Sequence, residues 1–235
     1  MKKKLVALTG AGMSAESGIA TFRGVDGLWE GHRIENVASP EGFKANPELV
    51  LDFYNQRRTN VRQAEPNRAH LALAFSYKFF DTYIITQNVD DLHERAGSDY
   101  VLHLHGKILQ ARSSINPELV YELKQDQQIY LGDLCEWGSQ LRPNIVWFGE
   151  TVSQFELATN IIADADVVLI IGTSMVVHPA NILIDYAPIN AEIYVINPVI
   201  PDDTRKPNIN YIEKEATIGV PWVINYVAGL EQGEI

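Results

Sequence analysis

The stretch LVALTGAGMSA, Leu5–Ala15, decides the fold. The apolar run from Leu5 to Leu8 and into Thr9 makes a short buried strand that runs straight into Gly10 and Gly12. Gly10, Gly12 and Ala15 match the pattern G-x-G-x-x-G/A at the place where that pattern has a mechanism, between a strand and a helix. Glycine permits the tight turn and lets backbone amides approach a pyrophosphate at the helix N-terminus. A glycine-rich corner without any ligand satisfies the same pattern. A standard dinucleotide fold places an acidic residue for the ribose hydroxyls about 20 residues further on. That interval holds TFRGVDGLW, Thr21–Trp29, which reads as a loop. A dinucleotide bound here is therefore not held in the ordinary dehydrogenase manner.

Outward from this turn, strands and helices alternate. Asn46-Pro47 reads as a cap followed by proline at the first helical position. The helix it opens runs to about Gln63, with Val50, Phe53, Arg57 and Val61 on one side. A second helix begins near Pro66 and carries Leu71, Leu73 and Phe75. Tyr83–Thr86, Tyr100–His105, Asn144–Phe148, Val167–Ile171 and Glu192–Ile196 read as strands. Val89–Ala96, stopped by Gly97, Pro179–Tyr186 and Val220–Ala228 read as helices. The unbroken VVLII of Val167–Ile171 suits a sheet covered on both faces. The expected fold is α/β: a Rossmann-like parallel sheet with helices on both faces. Residues 22–70 and 107–143 fit that alternation badly and are expected to form a small inserted module. Residues 1–21, 71–106 and 144–235 then make the large part of one domain.

Composition narrows the classes of function. Of 235 residues, 46% are apolar and 21% charged, which excludes wholesale disorder. A net charge of −11 suits a phosphate backbone poorly, so no nucleic-acid partner is expected. The single cysteine, Cys135, excludes an intramolecular disulfide and every cysteine-rich metal centre, and points to the cytosol. Lys2, Lys3 and Lys4 precede an apolar run shorter than the roughly 7–15 residues of a signal peptide. No stretch approaches the ~20 apolar residues of a membrane span, so a soluble protein with no membrane partner is expected.

Polar residues at strand ends carry the candidate chemistry. Gln87, Asn88 and Asp90 follow a strand directly, where amides and carboxylates can meet a carboxamide and ribose hydroxyls. Asn88 could equally be a helix cap. His103 and His105 fall on one face of a strand ending at Gly106. His103 reads as packed and His105, at the edge, as a general base. Gly172-Thr173-Ser174 and Asn197 end two further strands, and several polar termini at one sheet edge suggest a nucleotide crevice. Tyr54 and Arg57, three apart on a helix, share a face and can bind one carboxylate together. An amphipathic helix with a half-buried tyrosine and a solvated arginine is the plainer reading.

GAGMSAESGIATFRG at 10–24, TQNVDDLHERAG at 86–97, LHG at 104–106, LRPNIVWFGE at 141–150, GTSMVVHPA at 172–180 and INP at 196–198 resemble, in order, the motifs of the sirtuins, NAD-dependent protein lysine deacylases. The match spans almost the whole chain. The resemblance implies NAD in the cleft, acyl-lysine proteins or peptides as substrates, and nicotinamide and O-acyl-ADP-ribose as products. It implies that Gly10, Ala11, Gly12, Ser14, Ala15, Glu16, Phe22, Arg23 and Trp29 bind the cofactor on the glycine turn and its loop. Gln87, Asn88 and Asp90 would serve the nicotinamide and its ribose. Gly172, Thr173, Ser174, Asn197 and Ala216 would surround the adenosine end. His105 would be the general base, with Asn88 also catalytic. Val146, Trp147, Phe148 and Gly149 would pair with the substrate backbone as an added strand.

FYNQRR, Phe53–Arg58, resembles the sirtuin branch that removes acidic acyl groups, which makes Tyr54 and Arg57 the expected contacts of a distal carboxylate. Many sirtuins hold a structural zinc with two CxxC pairs. The aligned positions here are Ser113 and Asn116, then Leu134 and Trp137, with Cys135 out of register by one. No zinc is expected, and packing of Ile108, Leu109, Leu134 and Trp137 is expected to hold the module instead. The alternatives are an ADP-ribosyltransferase or NAD hydrolase using the same cleft, and a catalytically idle NAD-binding sensor. A monomer is the default.

Overall fold

The structure, a computed structural model, describes residues 2–21, 29–173, 180–200 and 208–230. Nine strands are described: β1 (Lys3–Thr9), β2 (Phe80–Thr86), β3 (Val101–His103), β4 (Gly106–Ser113), β5 (Val120–Glu122), β6 (Leu141–Ile145), β7 (Val167–Ile171), β8 (Glu192–Ile196) and β9 (Ile209–Ile212). The helices are α1 (Gly12–Ala15), α2 (Ile34–Val37), α3 (Pro40–Ala45), α4 (Pro47–Gln63), α5 (Arg68–Phe75), α6 (Leu92–Arg95), α7 (Phe155–Ile162), α8 (Ala180–Leu183) and α9 (Ala216–Ala228). Among the described residues no helix is long and apolar enough to cross a membrane.

Six strands form one parallel sheet in the order β3-β2-β1-β7-β8-β9. The strand order reverses between β1 and β7, and the carboxyl ends at such a point open a crevice. β1 alternates between two cores. Leu5 and Ala7 face Leu73 of α5 and Val220, Val223 and Ile224 of α9, while Val6 and Leu8 face Ala158 and Ile162 of α7 and Leu183 of α8. Helices therefore cover both faces, as the continuous apolar strands predict.

β4, β5 and β6 make a separate antiparallel sheet, order β5-β4-β6. Residues 144 and 145, read from the sequence as the start of a strand in the large part, are the end of β6 in this small sheet. The strand read as Tyr100–His105 stops at His103, so His103 and His105 do not share a strand face. The short α3, α7, β5 and β9 have sequence patterns too brief for their period to register.

α4 starts as its sequence dictates: the Asn46 side chain accepts from the Leu49 amide at 3.1 Å, and Pro47 occupies the first turn. Its inward face is unusually polar. Arg58 is fully buried, donating Nε to the Ile108 carbonyl at 2.8 Å and Nη1 to Asn55 and Gln128. Asn55 donates to the Ile129 carbonyl and accepts from the Ile129 amide. Burial first, then neighbouring Arg62, brings the Arg58 guanidinium down to about 10. These bonds, with Leu51, Ala111 and Ile129 as a small apolar core, tie residues 107–143 to α4. Leu134 and Trp137, expected to hold the module, are instead 56% and 63% exposed. Ile108 is buried and Leu109 partly so, as expected.

Beneath the sheet ends lies a pair of buried imidazoles, their ring centroids 4.8 Å apart. His70 Nδ1 accepts from the Asn67 amide, and His93 Nε2 sits 3.0 Å from Thr9 Oγ1, which itself donates to Thr86 Oγ1. Neither His70 Nε2 nor His93 Nδ1 has a partner among the described residues. Burial lowers His70 to about 4, and burial followed by the His70 charge lowers His93 well below its ordinary value. Both rings are therefore neutral in the fold, whereas the unfolded chain takes up protons below pH ~6.5. Stability is full above that value and falls as the pH drops through it. Urea unfolding should show a loss of roughly 2 kcal/mol for each imidazole between pH 7 and pH 5. Equal stability at the two pH values would contradict the burial of neutral rings.

Candidate active site

Two glycine turns meet at the strand-order reversal. The Gly10 amide donates to the Ile171 carbonyl and the Gly12 amide to Gly172, both at 2.9 Å. A Cβ on Gly12 would lie 2.7 Å from the Gly172 Cα, and one on Gly10 would lie 2.8 Å from the Gly172 carbonyl oxygen. Gly172 has φ +59, and a Cβ there would lie 2.5 Å from the Gly12 backbone. In this structure the glycines at these positions let β1 and β7 close on each other. The glycine pattern has a packing cause besides any approach of a ligand.

A cleft of about 650 Å3 opens in front of these turns. Gln87 and Asn88 enter it from the end of β2, pinned by the Gln87 amide bonding the Thr9 carbonyl and by the Gln87 side chain donating to Thr173 Oγ1 at 3.1 Å. Asn88 is no helix cap, since α6 begins at Leu92 and Asp90 Oδ1 accepts the Leu92 amide. Instead Asn88 Nδ2 donates to the Gly10 carbonyl and to Ser14 Oγ, and Ser14 donates to Asp90 Oδ2 at 3.0 Å. Both donors of the Asn88 amide are thus used, so its Oδ1 is the group left for a ligand. Burial raises the Asp90 carboxyl above the usual range, against hydrogen bonds from Leu92 and Ser14.

His105 also lines the cleft. Its Nδ1 lies 3.0 Å from the Gln87 carbonyl, an oxygen that can only accept, so Nδ1 carries the proton and Nε2 keeps its lone pair. Burial lowers its pKa, opposed by that backbone bond. A neutral imidazole with a fixed tautomer is the form a general base needs. His103 is occupied at both nitrogens, by the Asn88 carbonyl at 3.0 Å and by Glu94 at 2.9 Å, as its packed reading expects. Burial alone would raise Glu94, but His103 and Lys107 hold its carboxyl down at about 2.

Trp147 forms the opposite wall. Its ring packs against Phe43 and Tyr54, and the Arg142 guanidinium lies 3.3 Å from its centroid. Glu150 takes hydrogen bonds from Arg142, Arg112 and the Trp147 amide. Burial would raise the Glu150 carboxyl, yet these donors lower it. The amides of Val146 and Phe148 bond the carbonyls of His105 and Ala38. An added strand must therefore use groups this segment has not spent, such as the Gly149 amide. Arg142 and Glu150 lie inside a motif quoted from the sequence, but only its apolar residues stood out there.

α4 delivers Tyr54 and Arg57 to the same cleft. Tyr54 is fully buried and accepts from Trp147 Nε1 at 3.0 Å. Burial, outweighing that hydrogen bond, raises its pKa well above the ordinary value, so the phenol stays a donor. Arg57 is also buried, rather than solvated, and lies over the Trp29 ring.

Of the other predicted positions, Gly10, Ala11, Ser14, Trp29, Asp90, Val146, Phe148, Gly149, Gly172 and Thr173 line the cleft. Gly12, Ala15, Glu16, Asn197 and Ala216 do not. Glu16 instead binds the amide and hydroxyl of Thr217 at the start of α9. Asn197 donates to the Thr173 carbonyl at 3.4 Å. Phe22, Arg23 and Ser174 lie outside the described residues.

The positions aligned with a zinc site hold hydrogen bonds. Ser113 Oγ accepts the amides of Ile115 and Asn116 and lies 2.7 Å from Ser139 Oγ, which is 3.1 Å from Cys135 Sγ. Cys135, not Leu134, is thus the residue brought towards Ser113. One thiol among hydroxyls is a poor tetrahedral zinc set. Among the described residues no group of three or more His, Cys, Asp or Glu side chains could hold a metal ion.

Comparison with known proteins agrees with this geometry. The Sir2 family model matches residues 10–179. The chain is 53% identical to an NAD-dependent protein deacylase of Helicobacter pylori, over 91% of this chain and 93% of that protein. It is 48% identical to one of Bacteroides thetaiotaomicron, over 93% and 95%. Among solved structures, a Sir2 homolog–NAD complex superposes with TM-score 0.85 at 40% identity, covering 97% of this chain and 90% of the other. A Sir2–p53 peptide–NAD+ complex superposes with TM-score 0.75 at 27% identity, covering 96% and 94%. With its motifs, sheet order and cleft in agreement, the chain belongs to the Sir2 family.

Proposed function

We propose that this NAD-dependent protein lysine deacylase removes acyl groups ending in a carboxylate, succinyl and malonyl, in addition to acetyl. One observation carries the acyl preference: Tyr54 and Arg57 open into the cleft that also holds His105 and Asn88. Trp147 fills an acceptor position of the Tyr54 oxygen, so the phenol proton is directed elsewhere and suits a carboxylate beside the Arg57 fork. The relatives named NAD-dependent protein deacylase support the reaction itself.

The residues present fit NAD at the strand-order reversal: an amide acceptor on Asn88, the raised carboxyl of Asp90, and the Gln87–Thr173 pair. NAD, when bound, supplies an electrophilic ribose carbon and nicotinamide as leaving group. Asn88 and Asp90 would hold the carboxamide end, and Gln87 the adjoining ribose. His105 Nε2 would take a proton from the chain of ribose hydroxyls, so that the 2′-oxygen could attack the acyl carbon. The Val146–Gly149 edge would align the peptide, with Trp147 fixed from behind by Arg142. The products are free lysine, nicotinamide and O-acyl-ADP-ribose. The −11 net charge suits lysine-rich partners, and the single cysteine suits the cytosol. The small module, in this reading, works without zinc.

Mass spectrometry of acetyl-, malonyl- and succinyl-lysine forms of one peptide should show NAD-dependent loss of all three, with the matching O-acyl-ADP-ribose. Arg57→Met should lower desuccinylation about 100-fold, the size of a lost charge-assisted pair, and lower deacetylation only a few-fold. Equal losses on both substrates would make Arg57 structural. The pH profile of kcat/KM should keep its activity through neutrality and fall only below the ordinary histidine value of 6.5, because His105 is lowered by burial. An acid limb centred above pH ~7 would remove His105 as the base. Metal analysis of purified protein should find far less than one zinc per chain, and chelator should leave Tm unchanged. One equivalent of zinc would overturn the hydrogen-bonded reading of the Ser113–Cys135 region.

A further inference from the structure

Arg57 does not enter the cleft as a bare cation. Its Nη1 lies 3.0 Å from Oε2 of Glu30, and the two side chains are 7% and 30% exposed. Its guanidinium sits 4.3 Å from the Trp29 ring centroid and 5.7 Å from that of Phe53. Of its five donors, Nε is buried with no acceptor among the described residues. A desolvated guanidinium with a donor unfilled attracts any carboxylate that reaches it. Glu30 is that carboxylate, and it arrives from a turn rather than from the helix that carries Arg57.

The turn is built to present it. Trp29 and His32 exchange backbone hydrogen bonds of 2.9 and 3.0 Å, closing a tight loop around Glu30 and Gly31. Glu30 has φ 48 and is the only non-glycine residue in the left-handed region among those described. Side chains adopt that region at a backbone cost, which the Arg57 pair and the Trp29 packing must offset. Trp29 thus does two things at once: it stacks under Arg57 and it anchors the turn whose next residue neutralises Arg57.

We propose that Glu30 is a specificity-determining residue whose carboxylate competes with the distal carboxylate of the acyl chain for Arg57. The inference rests on Arg57 being the acyl anchor. A neutral acyl group then meets a pocket wall whose charge is already balanced, so acetyl-lysine is not opposed by an unpaired buried cation. An acidic acyl group exchanges one carboxylate for another. Glu30, the more exposed partner, turns to water, where its charge is solvated cheaply. The exchange lowers the advantage of acidic over neutral acyl groups and lets one pocket serve both.

The test is the ratio of kcat/KM for succinyl- over acetyl-lysine on one peptide, measured for wild type, Glu30→Gln, Glu30→Asp, Arg57→Met and the Glu30→Gln/Arg57→Met double variant. Glu30→Gln should raise the ratio roughly three- to tenfold, mainly through a lower KM for the succinyl peptide. Glu30→Asp, which withdraws the charge by one methylene and serves if the glutamine variant folds poorly, should move the ratio the same way. In the double variant the glutamine should have no further effect on the ratio set by Arg57→Met. A ratio unchanged or lowered by Glu30→Gln, with Arg57→Met still selective, would overturn the competition and make Glu30 a positioning partner of Arg57. Loss of selectivity in Arg57→Met itself failing to appear would instead sink the anchor on which the inference rests.

Discussion

The contact between two backbones, Gly12 on Gly172, is the constraint from which the site follows. With no side chain on either residue, the turn leaving β1 and the turn leaving β7 sit closer than a Cβ would allow. That approach brings the ends of neighbouring parallel strands into one wall at the place where the strand order reverses. Gln87 and Asn88, arriving from β2, then reach across to Thr173 and Gly10. A larger residue at Gly172 would separate the two turns and loosen every later hydrogen bond in the series.

The polar side chains of the cleft are arranged by subtraction. Asn88 gives both its N–H groups to the protein, Ser14 passes its proton to Asp90, and His105 gives its Nδ1 proton to a carbonyl. Asn88 is left with Oδ1 and His105 with Nε2, while the Ser14 hydroxyl is used on both sides. Such a site spends little reorganisation on meeting a ligand, because the scaffold has already fixed which atom is offered. Trp147 is treated in the same way, with Arg142 against its face and Tyr54 at its indole nitrogen.

Much of this was legible in the sequence because the governing signals are local. The apolar run Val167–Ile171, the Asn46-Pro47 helix start and the glycine turn each carry their own physics within a few residues. Gln87, Asn88 and His105 stand out by their places at strand ends, and all three line the cleft. Other features depend on partners far apart in the chain. The pairing of Glu30 with Arg57, the Glu150 cluster, and Glu16 at the start of α9 join segments whose spacing carries no period. The hold on residues 107–143 is hidden for the same reason: hydrophobicity points to Leu134 and Trp137 along with Ile108 and Leu109, yet the first two are exposed and buried polar groups on α4 add to the hold. A fully buried arginine is not visible in composition, since two of its partners, the Ile108 carbonyl and the Gln128 side chain, lie far along the chain.

α4 carries Tyr54 and Arg57 on one flank and Asn55 and Arg58 on the next, a single residue apart in each case. The first pair looks into the cleft and the second grips the backbone of Ile108 and Ile129. One rigid rod therefore serves as both the pocket wall and the handle of the small sheet. The outer surface of that sheet and the Tyr54–Arg57 wall of the cleft are thus joined through one uninterrupted helix. If the cleft takes the acyl chain as proposed, whatever leans on the module from outside also bears on the wall that faces that chain.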